Sequence, residues 1–171
     1  MTGPILKMNG IDEGILVSLE TKLSGADLPE RVYNCIANLF PSFTIDESLN
    51  IPSLGDAKEQ WINSSNLSMA TFLEKLHKQR ILDTALDSMS QNLKSNQCHF
   101  HISRQAALSG KISFNIPGEE PLGGSIKISL KGDNLKDWIE AATWHSGRDS
   151  IPRSINDERS MSDSGESSIW I

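Results

Sequence analysis

Cysteine occurs only twice in the 171 residues, tyrosine once, and aromatic residues make up 6% of the chain. Two isolated cysteines specify neither a disulfide framework nor a metal knuckle. Cys35 falls in a predicted helix and Cys98 in a predicted strand, each on the apolar face, where a reduced thiol packs as a small hydrophobe. No apolar run approaches the roughly 20 residues that span a bilayer, and the N-terminus lacks the charged-then-apolar pattern of an export signal. The expected location is therefore the cytoplasm, without membrane association. The chain also lacks a nucleophile elbow, paired catalytic carboxylates and a dinucleotide fingerprint, and Gly123-Gly124 has no Lys and Ser/Thr to complete a phosphate loop. His77 and His145 belong to no recognisable motif. These absences point to a non-catalytic protein with no cofactor.

What is present suits one globular domain. At 37% hydrophobic and 22% charged, the chain can bury a single sizeable core. Its net charge is −6, unevenly spread. Residues 75–118 hold six basic side chains (Lys75, Lys78, Arg80, Lys94, Arg104, Lys111) against Asp83 and Asp87, while the segments on either side are acidic. Such a local patch can meet an anion on an acidic protein, because at about 0.15 M salt the potential fades within about 8 Å.

Apolar periodicity orders the elements. Ile15, Val17 and Leu19 alternate with Leu16, Ser18 and Glu20 as in a half-buried strand. Val32, Ile36, Leu39 and Phe40 follow at helical spacing behind Pro29 and Glu30, and Pro41 stops that helix. Phe43 and Ile45 are expected to start a second strand, with the stretch around Trp61 and Ile62 as its hairpin partner. A long helix is predicted over residues 67–93, but its stripe changes phase. Arg80 and Asp83 continue the face set by Leu76, so either the helix bends near Gln79 or the two charges pair three residues apart. Three late strands follow. Cys98, Phe100 and Ile102 oppose His99, His101 and Ser103. Beyond a short connection closed by Gly110, Ile112, Phe114 and Ile116 oppose Lys111, Ser113 and Asn115, and then Ile126, Ile128 and Leu130 oppose Lys127, Ser129 and Lys131. Asp133 is expected to cap a last helix carrying Leu135, Trp138, Ile139 and Ala142. The pattern is α+β: a two-layer domain over residues 1–145, with a mostly antiparallel sheet and helices on one face. Residues 146–171 contain eight serines without periodicity and read as a disordered tail ending in the apolar Ile169, Trp170 and Ile171.

The outward face of the late strands is the best candidate site. His99, His101, Ser103, Lys111, Ser113, Asn115, Lys127, Ser129 and Lys131 are basic or hydrogen-bonding, with no acid among them. Such side chains suit phosphate and sugar hydroxyls, and the lack of aromatics favours structured RNA over a stacked single strand. The alternatives are a solvated sheet face or one buried in a homodimer. His99 and His101 project in parallel as metal ligands could, but no nearby cluster completes a zinc set, so no metal is expected.

The motifs Gln79-Arg80-Ile81-Leu82-Asp83, Gln105-Ala106-Ala107 with Gly110-Lys111, and Glu120-Pro121-Leu122-Gly123 resemble those of an archaeal family of small uncharacterised proteins. That family is assigned to RNA binding because its fold is similar to the large-subunit ribosomal protein that holds 5S rRNA. The resemblance spans residues 14–144 and implies that fold and an RNA or ribonucleoprotein partner. It marks Gln79, Arg80, Asp83, Arg104, Gln105, Gly110 and Lys111, with Arg104 standing where a lysine is common. The serine-rich tail lies outside the match, and residues 53–59 look like a longer loop than the family usually has. Members also resemble the C-terminal part of fusions with a P-loop kinase of the dephospho-CoA-kinase-like type, which implies such a kinase as a partner. The combined expectation is a non-catalytic RNA-binding domain using Arg104, Lys111, Lys127, Lys131, His99 and His101, or else a protein-interaction or regulatory module acting with the kinase.

Overall fold

In the computed structural model, which describes residues 8–45, 51–52, 54–55 and 58–155, β1 (Leu16–Ser24) alternates buried and outward residues and is a central strand, paired on both edges. Val17, Leu19 and Leu23 point into the core, and Thr21, also inward, donates its hydroxyl to the Ser125 carbonyl at 2.7 Å. The element order continues with α1 (Pro29–Leu39), β2 (Glu59–Ser65), α2 (Ala70–Gln79), α3 (Leu82–Ser90), β3 (Gln97–Ser103), α4 (Arg104–Leu108), β4 (Ser125–Lys131) and α5 (Leu135–Ala142). The four strands form one antiparallel sheet in the order β2-β1-β4-β3. This is the α+β architecture expected from the sequence pattern.

The inward side chains of all four strands meet the apolar stripes of the helices in one core. Phe72 is its centre: its ring stacks on Phe40 at 5.7 Å between centroids and meets Phe100 at 6.0 Å and Phe114 at 6.4 Å. Each such aromatic contributes about 1.5–3 kcal/mol by burial. The opposite face of the sheet carries side chains that remain half-buried to exposed.

Three predicted elements differ. Residues 41–45 form a turn and coil, with the Phe43 amide bonded to the Phe40 carbonyl, while 46–50 lie outside the described residues. β2 pairs instead with β1, Thr21 opposite Ile62 and Lys22 opposite Trp61. Period-two patterning identifies a strand but not its partner, and here the partner precedes it by about 40 residues.

The predicted long helix is two helices. α2 ends with the Ile81 amide bonded to the Leu76 carbonyl and the Arg80 amide bonded to that of His77, placing Arg80 in the left-handed region at φ 58°. This is a Schellman stop with arginine where glycine is usual. The phase change in the stripe reported this break, and Asp83 does not pair with Arg80. Asp83 instead accepts hydrogen bonds from His145 and Arg148.

The third difference is the segment around Ile112. Only one bridge, Ile102 to Phe114, joins it to β3, supported by the Ser103 amide on the Ser113 carbonyl and the Asn115 amide on the His101 carbonyl. Ile116, expected to face inward, is 63% exposed. The segment is fastened from the helix layer rather than by a ladder: Gln79 receives the Ile112 amide at 2.8 Å and donates to its carbonyl at 3.0 Å.

At the C-terminal end, Asn134 rather than Asp133 occupies the N-cap of α5, at φ 54° and without a side-chain cap bond. The domain also continues past residue 145. Ser146–Asp149 form a 3-10 turn. Arg148 is buried, donating to Asp83, the Glu140 carbonyl and Thr143 Oγ1, while Arg153 meets Asp87 at 2.6 Å and Ile155 is buried. Composition hid this packing, because two arginines and one isoleucine with specific partners leave no periodic signal. The remaining predicted tail, 156–171, lies outside the described residues.

Candidate binding face and the Arg104 bridge

Strand register decides what shares the outer face, since directly opposed residues point the same way. Across the sheet, Ser65, Ser18, Ser129 and His99 form one row, and Asn63, Glu20, Lys127 and His101 the next. Lys131 stands opposite both Leu16 and Gln97 at the end of β4. His99, His101, Lys127, Ser129 and Lys131 therefore share one surface, as the sequence pattern suggested.

The register also brings in groups that the local pattern did not show. Glu20 lies beside Lys127, with Oε1 3.5 Å from Nζ, and Glu59 beside Lys22 at 3.1 Å. The face is thus not free of acids, and its basic character is partly neutralised. Trp61, half exposed, lies opposite Lys22 on the same face, so the expected absence of an aromatic platform is also corrected. The signal that could have found it was the outward phase of Trp61 against the inward Ile62.

Arg104 is not a surface cation. Its side chain is only 9% exposed and its guanidinium is engaged on every nitrogen: Nε donates to the Gly123 carbonyl at 2.7 Å, Nη1 to the Lys22 carbonyl at 2.7 Å and Thr21 Oγ1 at 3.3 Å, and Nη2 to Asp27 Oδ1 at 2.9 Å. The β1–β4 ladder runs only from Leu16–Lys131 to Glu20–Lys127. Beyond it the two strands part, and Arg104 spans the gap, satisfying backbone carbonyls that would otherwise lack partners. Gly124 makes room for it, because a Cβ there would lie 2.6 Å from Nη2. Arg104 is therefore removed from the set of candidate phosphate contacts.

Where the strands part, a cleft of about 710 Å³ opens onto the outer face. Trp61 and Glu59 line its β2 side, His101 and Glu120 its β3 side, and Arg104 is among its lining residues. His101 also lines a neighbouring cleft of about 380 Å³ with Asn115, whose buried Oδ1 has no hydrogen-bond partner. The rings of His99 and His101 meet edge to face at 6.0 Å. Burial lowers the His101 pKa, assisted by His99 and Lys127 and opposed by Glu120 and Glu20. His101 thus meets a ligand near neutral pH as an uncharged hydrogen-bonding ring. Among the described residues, no three His, Cys, Asp or Glu side chains cluster to hold a metal.

The remaining motif residues are structural in their contacts. Gly110, at φ 74°, ends α4 with its amide on the Ala107 carbonyl and the Lys111 amide on that of Ala106, and Lys75 donates to the Gly110 carbonyl at 2.9 Å. Asn38 secures the same helix end through the Ala107 carbonyl. Gln105 is exposed, its Cβ facing Gly123. Lys111 is exposed but lines neither cleft, so it does not join Lys127 there.

Among the described residues, no helix is long and apolar enough to cross a membrane. No protein-family model matches the chain. It is 31% identical over 131 residues to a UPF0201 protein of Sulfurisphaera tokodaii, covering 74% of this chain and 88% of that protein. A UPF0201 protein of Methanopyrus kandleri is 30% identical over 133 residues, with 75% and 82% covered. A UPF0200/UPF0201 protein of Archaeoglobus fulgidus is 24% identical, and the match covers only 35% of it. The fold is similar to the crystal structure of a UPF0201 protein from Methanococcus jannaschii, with a TM-score of 0.63 at 22% identity over 77% of this chain and 96% of that one. On this identity and coverage, and with the same arrangement of sheet and helices, the chain belongs to the archaeal UPF0201 family.

Proposed function

We propose that the protein is a non-catalytic RNA-binding module that presents its polar sheet face to structured RNA. The observation that carries this reading is the convergence of Lys127, Lys131, His99, His101, Ser18 and Ser129 on one face that, among the described residues, no helix covers. Lysines and hydroxyls at strand spacing suit phosphate oxygens and ribose hydroxyls. The likeness to the 5S-rRNA-binding ribosomal protein implied by the family resemblance belongs to the same proposal. Glu20 and Glu59 moderate the field, so binding depends on a few placed contacts rather than on bulk positive charge.

Titration of a structured RNA against salt tests this. Affinity falls by roughly 0.7–0.9 log units per phosphate contact for each tenfold rise in salt. Lys127→Glu and Lys131→Glu each reduce that slope by about one contact and weaken binding. Unchanged affinity in the double variant contradicts the proposal.

A second reading is a regulatory module acting with a P-loop kinase. Its support is the resemblance to fusions with such a kinase, together with the composite UPF0200/UPF0201 name of the Archaeoglobus fulgidus relative, of which this chain matches about a third. Nuclease treatment separates the two readings: a kinase partner recovered with the protein remains after nuclease, whereas an RNA-mediated association is lost.

A further inference from the structure

From the cleft where β1 and β4 part, we infer a slot for one unpaired, amino-bearing nucleobase, stacked on Trp61. The inference rests on the RNA-binding reading and adds the part of the RNA that enters the cleft. Trp61 supplies a half-exposed aromatic surface on the cleft wall, and a nucleobase is the flat group that an RNA can offer it. Charge decides what else fits. Glu20, Asp27, Glu59 and Glu120 line the cleft against Lys22, Arg104 and Lys127, so its interior disfavours a phosphate. Asp27 and Arg104 are committed to each other. Glu20, Glu59 and Glu120 each use one oxygen in the contacts seen, to Lys127, Lys22 and Ser125 Oγ respectively. A carboxylate accepts through both oxygens, which leaves acceptors facing the cleft. An exocyclic amino group, which presents two N–H donors, is the group that matches them. Adenine, guanine and cytosine carry an amino group; uracil offers only one ring N–H, flanked by two carbonyl oxygens that the carboxylates repel. The phosphates of the same RNA stay outside, toward Lys131 and the β4 end of the face.

The occupant is therefore a base splayed from a loop or bulge, not a duplex edge. Three RNAs with one common stem test it: a hairpin with an adenine loop, the same hairpin with a uridine loop, and a blunt duplex, each titrated by anisotropy at fixed salt. The adenine hairpin binds at least about fivefold tighter than the duplex, the low end of one base–aromatic stack, and tighter than the uridine hairpin. Trp61→Ala reduces adenine-hairpin binding to the duplex level and leaves duplex binding unchanged, while Trp61→Phe keeps part of the difference. As a measurement on the unaltered chain, adenine-hairpin binding quenches tryptophan emission, and Trp61→Phe removes that quenching. Equal binding of the adenine hairpin and duplex, or a preference that survives Trp61→Ala, overturns the slot while leaving the RNA-binding reading intact. No binding of any of the three overturns both.

Discussion

Arg104 and Asp27 form an ion pair at 2.9 Å between the start of α4 and the turn after β1, with side chains only 9% and 19% exposed. The pair closes the end of the sheet that no backbone ladder closes. Removing one partner leaves the other charge buried, which costs far more than an exposed pair contributes. Arg104→Ala should destabilise the fold by about 3–5 kcal/mol, measured by urea denaturation, and Arg104→Lys by about 1–3 kcal/mol because one ammonium cannot replace the fork of donors. Gly124→Ala should also destabilise, since its Cβ would meet the guanidinium and the backbone sits at φ +85°. Stability within 0.5 kcal/mol of the parent in Arg104→Ala would contradict this assignment.

Arg80 occupies a left-handed position that disfavours any residue with a Cβ. Arg80→Gly should therefore stabilise the protein by about 0.5–1 kcal/mol despite altering a family motif. A rise in thermal midpoint checks this; a fall would show that the arginine side chain makes a favourable contact outweighing the strain.

Asp83 joins α3 to the segment after α5. Burial acts to raise its pKa, but hydrogen bonds from His145 and Arg148 and their charge hold it below the ordinary carboxylate value. His145 Nδ1 accepts the Gly147 amide, so Nε2 carries the proton toward Asp83. A carboxylate with a depressed folded-state pKa contributes stability above its unfolded value of about 3.8, and that contribution is lost as pH falls through the lower folded value. Asp83→Asn should cost about 1 kcal/mol at pH 7, a figure reduced for the partial exposure of the carboxylate, and the gap to the parent should close below about pH 4. A gap that persists at low pH would contradict the ionic origin.

Both thiols should be inert in the folded state. Burial pushes Cys98 up to about 12, and burial also raises Cys35, whose Sγ lies 3.1 Å from the Arg104 carbonyl. At pH 8, an aromatic disulfide reagent should label neither thiol natively and both after unfolding. Rapid native labelling of either would show that its side of the core opens.

Most elements were legible because their patterns are local. β1, β3 and β4 alternate cleanly, α1 and α5 carry amphipathic stripes, and even the α2–α3 break showed as a shift of phase at Arg80. What stayed hidden was long-range. The outward phase of Trp61 was readable, but nothing near it in the sequence states that β2 lies beside β1, so neither its position opposite Lys22 nor that of Glu20 beside Lys127 could be read. Arg104 looked like a free cation because its partners, Asp27, Lys22 and Gly123, lie 19 to 82 residues away. The family motifs around it were conspicuous for architectural reasons: Gln79 fastens the segment at Ile112 and Gly110 ends α4.

The face itself is tested most directly by where RNA touches the chain. Zero-length ultraviolet crosslinking of a structured RNA, followed by peptide mapping, should place the adducts in peptides containing residues 16–24, 59–65, 97–103 and 125–131, with Trp61 and His101 prominent. Adducts confined to the helix layer, at residues 29–39 and 70–90, would contradict the account, as would a failure to crosslink any RNA above the level seen with the Lys127→Glu, Lys131→Glu double variant.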